Sequence, residues 1–156
     1  MPPDPLIALR TVRRGCLAAL LWSAAILCGS PVSLADEAAA GGQPTLPSVR
    51  LQVGEHVLQA ELAVSAQQRY LGLGDRRTLA DDAGMLFVYP ETRMLTFTMR
   101  DTVLPLSIAY LDADLSILEI LDMDVGPDQL FPASQPARYA LEVNQGWFER
   151  RGIVPG

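Results

Sequence analysis

The sequence predicts a mainly β domain, a single β-sandwich or small barrel with one or two short helices. Three observations carry this expectation. Apolar residues alternate with polar ones in several short runs, which is the period of a half-buried strand. Gly, Pro and Asp punctuate those runs at close intervals, as turn formers do. Helical signals are confined to two brief stretches, too little for a helical or α/β architecture.

Each element has its own warrant. Val49, Leu51 and Val53 alternate with Arg50 and Gln52, and beyond Gly54-Glu55 the residues Leu58, Ala60, Leu62 and Val64 alternate again. Two period-two runs around a Gly-containing pair predict a β-hairpin. Ser65-Ala66-Gln67-Gln68 has the form of a capping box, so a short helix follows, and Gly72 and Gly74 end it. Residues 76–84 read as loop. Residues 85–89, apolar between Gly84 and Pro90, predict a buried strand. Leu95, Phe97 and Met99 alternate with Thr96, Thr98 and Arg100 in a strand with one wet face. Residues 106–111 and 117–121 flank Asp112-Ala113-Asp114-Leu115 and predict a second hairpin. Residues 125–136, with Gly126, Pro127, Pro132 and Pro136, read as a long loop. Tyr139, Leu141 and Val143 mark a last strand, Asn144-Gln145-Gly146 a turn, and residues 147–151 one helical turn.

The first 35 residues read as an address. Arg10, Arg13 and Arg14 precede an apolar run over residues 16–28, and Ser33-Leu34-Ala35 places small residues before Asp36. These are the three parts of a secretory signal peptide, with cleavage expected between Ala35 and Asp36. The apolar run is shorter than the roughly 20 residues of a membrane span. The expected location is therefore periplasmic or secreted, with an uncleaved membrane anchor as the alternative; a lipid anchor at Cys28 would need a small residue where Leu27 stands. Residues 36–48 lack apolar periodicity and read as a flexible linker. Residues 49–156 suit one compact domain.

Composition then excludes several chemistries. Cys16 and Cys28 lie inside the expected signal, so the exported chain has no thiol for a disulfide, a nucleophile or a thiolate metal site. No Lys is present in the 156 residues, which excludes Schiff-base chemistry. Removing residues 1–35 takes away three Arg and Asp4, leaving 9 Arg and 17 acids, a net charge of −8. Such a surface is repelled by nucleic acid and by anionic lipid, so no nucleic-acid partner is expected, and membrane contact only through an uncleaved signal or a lipid anchor. The single His56 cannot build a multi-histidine zinc site. Asp112, Asp114, Asp122 and Asp124, with Asp128, are the metal candidates, since carboxylates two residues apart can share a Ca²⁺ ion. The competing reading is turn chemistry, in which Asp bonds nearby backbone amides.

Arg69, Gly72-Leu73, Gly84-Met85-Leu86-Phe87, Phe97-Thr98-Met99-Arg100-Asp101-Thr102, Pro105-Leu106, Tyr139-Ala140-Leu141-Glu142-Val143 and Gly146-Trp147 together resemble the signature of domain-of-unknown-function family 192 (DUF192). The resemblance implies a jelly-roll-like β-sandwich and no assigned activity. Five positions depart from the family's usual pattern: Thr98 stands for Trp, Arg100 for Lys, Asp101 for Asn, Ser107 for Asp, and Leu115 for the Gly at the second hairpin's tip.

Within this block Arg100, Asp101, Glu142, Met99 and Phe97 form the candidate pocket, because charged groups beside an apolar strand face can orient a ligand. The competing reading makes Arg100 and Glu142 a cross-strand ion pair. No catalytic residue is identified and no cofactor is expected, Ca²⁺ being the one held open. The expected function is a non-enzymatic module of the cell envelope that binds a small ligand or an envelope protein. Two alternatives stand beside it: a carboxylate-based hydrolase or lyase acting on an envelope sugar or peptide, and a calcium-stabilised sandwich.

Overall fold

The structure, a computed structural model, describes residues 6–9, 45–126 and 129–156. It is mainly β. In chain order the elements are β1 (Leu6–Leu9), β2 (Ser48–Val53), β3 (His56–Ala63), α1 (Ala66–Leu71), β4 (Ala83–Arg93), β5 (Thr96–Thr98), β6 (Leu106–Leu111), β7 (Ile117–Met123), β8 (Leu130–Pro132) and β9 (Ala137–Asn144), followed by a 3-10 turn over Glu149–Arg151. The large sheet has the order β1-β2-β3-β4-β9-β6-β7 and does not close into a barrel; β5 and β8 form a separate two-stranded sheet.

Both expected hairpins form. β2 and β3 pair antiparallel with Val53 opposite His56, across a turn in which Gly54 takes a φ of 62°. β6 and β7 pair antiparallel from Leu106–Met123 to Leu111–Ile117. The capping box also forms: Ser65 Oγ accepts the Gln68 amide at 3.1 Å, and Gln68 Oε1 accepts the Ser65 amide at 2.8 Å. A helix of six residues cannot sustain itself in water, so these reciprocal bonds carry much of its stability.

Three strand boundaries differ from expectation. β4 runs through Pro90 to Arg93, because the irregular register between Val88 and Arg93 relieves Pro90 of a ladder donor. β5 keeps only Thr96–Thr98, although the alternation of Leu95, Phe97 and Met99 toward the core is as expected. The loop expected over residues 125–136 contains β8, whose Phe131 lies opposite Phe97; its prolines hide a strand that needs only three residues.

The large sheet is buried on both faces. One face carries Met85, Phe87, Ile108 and Tyr110, covered by Phe97 and Phe131 of the small sheet. Phe87 meets Phe97 edge-on at 4.8 Å and Phe97 meets Tyr110 at 5.8 Å. The other face carries Leu51, Leu58, Leu86, Leu141 and Val143 around Trp147 and Phe148. Each large apolar side chain buried this way contributes roughly 1.5–3 kcal/mol. Asp82 fastens the C-terminal turn to the start of β4, accepting from Trp147 Nε1 at 3.1 Å and from Arg151 at 2.5 Å.

Gly84 shows why the Gly-Met-Leu-Phe run begins with glycine. A Cβ there would stand 2.5 Å from the Glu142 carbonyl oxygen on β9, so only glycine lets the two central strands approach. The expected signal covers residues 1–35, of which only Leu6–Leu9 are described. Cleavage after Ala35 would remove β1 and leave β2 as the sheet edge.

Candidate functional site

β9 passes through the middle of the large sheet with Glu142 opposite Met85 of β4 on one side and Ile108 of β6 on the other. Alternation puts Leu141 and Val143 on the Trp147 face, so Glu142 turns toward the opposite, aromatic face. It is 4 % exposed. Among the described residues no hydrogen bond or ion pair reaches its carboxyl, and the ion pairs found are Arg76–Glu61, Arg100–Asp101 and Arg151–Asp82. No buried side-chain oxygen or nitrogen among the described residues is sealed off without a partner. The Glu142 carboxyl therefore opens to the cavity that it lines. Burial pushes it up to about 8, so it is mostly uncharged at neutral pH.

The cavity has a volume of ≈ 200 Å³ and lies between α1, β4, β5 and β9, with Arg69, Tyr70, Tyr89, Phe97, Arg100 and Glu142 among its walls. Two arginines flank it. Arg69 Nη1 donates to the carbonyls of Val64 and, at 2.9 Å, Val88, and its guanidinium lies 4.7 Å from the centre of the Tyr89 ring. Arg100 lies 4.6 Å from the centre of the Tyr70 ring, and its Nε stands 3.4 Å from the Asp101 carboxylate. Both members of that pair are largely exposed, so it holds Arg100 only weakly. Burial pushes the Tyr89 phenol up, with Arg69 and Arg93 acting against it. The deeper Tyr110 is also pushed up by burial and donates to the Phe131 carbonyl at 2.5 Å.

Of the five expected pocket residues, Arg100, Phe97 and Glu142 line this cavity. Met99 does not; it is buried in the core. Asp101 does not line it either; its φ of 58° is a conformation that Asp tolerates better than most residues, and its backbone carbonyl accepts the Asp75 amide at 2.7 Å. The cross-strand ion pair of Arg100 with Glu142 is absent, because Arg100 follows β5 in the small sheet while Glu142 lies within the large one. Nothing in the local sequence pattern marks Tyr70 and Tyr89 as site residues, and Arg69 stands out only within the family block, on the helix that the capping box predicts.

The departures from the family pattern do not share one place: Asp101 stands beside Arg100 without lining the cavity, and Leu115 lies in the β6–β7 turn. Thr98 and Arg100 line the cavity. Ser107 sits elsewhere, 1 % exposed, donating to the Asp122 carboxylate and accepting the Gly146 amide at 2.8 Å. It borders a wider surface hollow of ≈ 460 Å³ with Asp122, Phe148 and Glu149. Its hydroxyl is satisfied on both sides, so it joins strand to turn.

The aspartates expected for calcium do not converge. Asp112 Oδ1 accepts the amides of Asp114 at 2.8 Å and Ser116 at 2.9 Å, which closes the β6–β7 tip. Asp122 and Asp124 lie at the other end of that hairpin, bonded to Ser107 and to Gln145. Five residues of strand separate the ends, roughly 17 Å, far beyond a shared coordination sphere. Among the described residues no group of three or more potential metal ligands occurs; Asp128 lies outside them. His56 packs edge-on to Trp147 at 6.4 Å and joins no serine or acid.

Solved structures similar to the chain include two from bacteria. One is a protein from Sinorhizobium meliloti 1021, described as a suggested transcription regulator, with 36 % identity, a TM-score of 0.68, and coverage of 74 % of this chain and 94 % of that one. The other is a protein of unknown function from Novosphingobium aromaticivorans DSM 12444, with 34 % identity, a TM-score of 0.68, and coverage of 81 % and 96 %. No curated protein matches the chain. Residues 49–156 match the DUF192 family, "Uncharacterized ACR". On that match and on the shared sheet architecture, this chain belongs to the DUF192 family.

Proposed function

We propose that this protein is an exported, non-enzymatic module of the cell envelope that binds a small ligand in the cavity beside Glu142. One observation carries the reading: a buried carboxyl without a protein partner opens into a cavity flanked by two arginines. A buried polar group left unpaired costs roughly 1–3 kcal/mol, and a ligand that hydrogen-bonds it recovers that cost. The small volume favours a compact ligand over a polymer. Export is supported by the basic, apolar and small-residue segments of the first 35 residues.

The hydrolase alternative has less support at this site. Glycoside hydrolysis uses two facing carboxyl groups, and Glu142 is the one carboxyl among the described residues lining the cavity. The regulator description of the Sinorhizobium protein is not extended to this chain, since a net charge of −8 on residues 36–156 opposes contact with DNA phosphates.

Intact mass under native and then denaturing conditions tests the reading, on protein recovered from the envelope fraction. The expected result is a denatured mass beginning at Asp36, and a small added native mass that is lost when Phe97→Trp fills the cavity. Turnover of an envelope substrate, abolished by Glu142→Gln without loss of fold, would replace the binding reading with an enzymatic one.

A further inference from the structure

We infer that the ligand of this cavity is a short-chain carboxylate, its charge met by Arg69 and Arg100 and its oxygen hydrogen-bonded by the Glu142 carboxyl. The inference rests on the cavity being a ligand site and adds the chemical class.

The charged groups that line the cavity are Arg69 from α1, Arg100 beyond β5, and Glu142 from β9. Tyr89 on β4 and Tyr110 on β6 stand near Glu142, while Arg93 and Glu119 act on those tyrosines from farther out. Tyr110 is committed to the Phe131 carbonyl. With Glu142 uncharged, the two lining arginines face one nearby carboxylate, that of Asp101 at 3.4 Å from Arg100, so positive charge remains in excess. Each guanidinium lies against a tyrosine ring; Arg69 is also fixed by its carbonyl bonds, whereas Arg100 and Tyr70 are exposed and can adjust to a ligand. Arg69 uses Nη1 on two backbone carbonyls, and a guanidinium has five N–H donors, so donors remain. Two arginines and an O–H donor form a recognition set for a carboxylate.

Size and wall chemistry narrow the class. A volume of ≈ 200 Å³ corresponds to about six or seven water molecules at roughly 30 Å³ each. Leu73, Phe87 and Phe97 line the cavity beside Thr96, Thr98 and Thr102, a mixed wall that can take a short hydrocarbon tail next to polar partners. An ionised Glu142 would repel the ligand carboxylate, so the pair holds one proton between two carboxyl groups. Below the titration of Glu142 at about 8 the proton is already present. Above it, binding must take up a proton, and affinity falls.

Calorimetric titration of the purified protein from pH 6 to pH 10 with sodium butyrate, butyramide and inorganic phosphate tests this. Butyrate is expected to bind at least tenfold more tightly than either other probe. Its Kd is expected to rise roughly tenfold per pH unit above 8, with proton uptake seen between buffers of different ionisation enthalpy. Glu142→Gln should remove the pH dependence, and Arg100→Gln should weaken butyrate about tenfold with an unchanged melting temperature. Equal or tighter binding of butyramide, tighter binding of phosphate, or a flat pH profile in the unaltered protein overturns the carboxylate class while leaving the cavity a ligand site. Binding of none of the three also overturns it, and the native mass then separates the cases: a retained small molecule preserves the ligand site, and its absence removes both.

Discussion

Glu142 gives the protein an unusual dependence on pH. Its carboxyl titrates near 8 in the folded chain against an ordinary value of 4.5. For an acid with a raised value, the folded state holds a proton that the unfolded state has already released. The stability this group allows is therefore fully present below about 4.5 and is lost as pH rises toward 8, at up to roughly 1.4 kcal/mol per pH unit. Glu142→Gln keeps the shape and removes the ionisation. It is expected to flatten stability between pH 5 and pH 8 and to exceed the unaltered protein in stability at pH 8, as urea midpoints across that range would read. Gly84 governs the same place from the neighbouring strand. Gly84→Ala would drive a methyl against the Glu142 carbonyl oxygen at 2.5 Å. A stability loss of roughly 1–3 kcal/mol is expected, measured by the shift of the urea midpoint. A neutral effect would mean that β4 and β9 can part without cost.

The β6–β7 hairpin illustrates how one aspartate pattern can serve two chemistries. Asp112 spends an oxygen on two backbone amides, while Leu115 beside it takes a φ of 67°, where glycine would sit more easily. The carboxylate stabilises a turn whose residue choice is otherwise poor. Asp112→Ala should cost roughly 1–2 kcal/mol by leaving those amides without their acceptor, read from thermal unfolding. The melting temperature should be the same in EDTA and in excess Ca²⁺, because the four aspartates stand at opposite ends of the hairpin and a native-state ligand stabilises only where it binds. A calcium-dependent rise would restore the metal reading. Elsewhere, Glu61 and Arg76 join β3 to the segment after α1 with contacts of 2.5 and 2.8 Å. Burial alone would raise the Glu61 carboxyl, but Arg76 and the Leu46 amide outweigh it and hold it low.

β4 and β9 lie inside the large sheet with strands on both sides, whereas β1 is at its edge and touches it only through β2. A chain beginning at Asp36 is expected to keep the fold, with a melting temperature within a few degrees of the full chain's. A large loss would show that Leu6–Leu9 belong to the mature domain. Two apolar faces on one sheet also explain how a domain with no cysteine after Cys28 holds together. Each face has its own lid, the β5–β8 pair on one and the Trp147–Phe148 turn on the other.

The two hairpins, the capped helix, the final strand and the family were legible in the sequence, because each is written in neighbouring residues: a period of two, a turn pair, Ser65 with Gln68. Arg100, Phe97 and Glu142, which line one cavity, stand out in the sequence for a related reason, since charges interrupt apolar strands there. The β8 strand was hidden among prolines, and the β5–β8 pairing exists only because Phe131 meets Phe97 across a distance in sequence. Alternation placed Glu142 on a strand face but could not say that this face would be covered. Only the small sheet and α1 closing over it made the carboxyl buried, set Arg69 and Arg100 at its cavity, and separated Asp101 and Met99 from it. Local pattern determines which residues form a strand; burial and charge at one point depend on what the rest of the chain brings there.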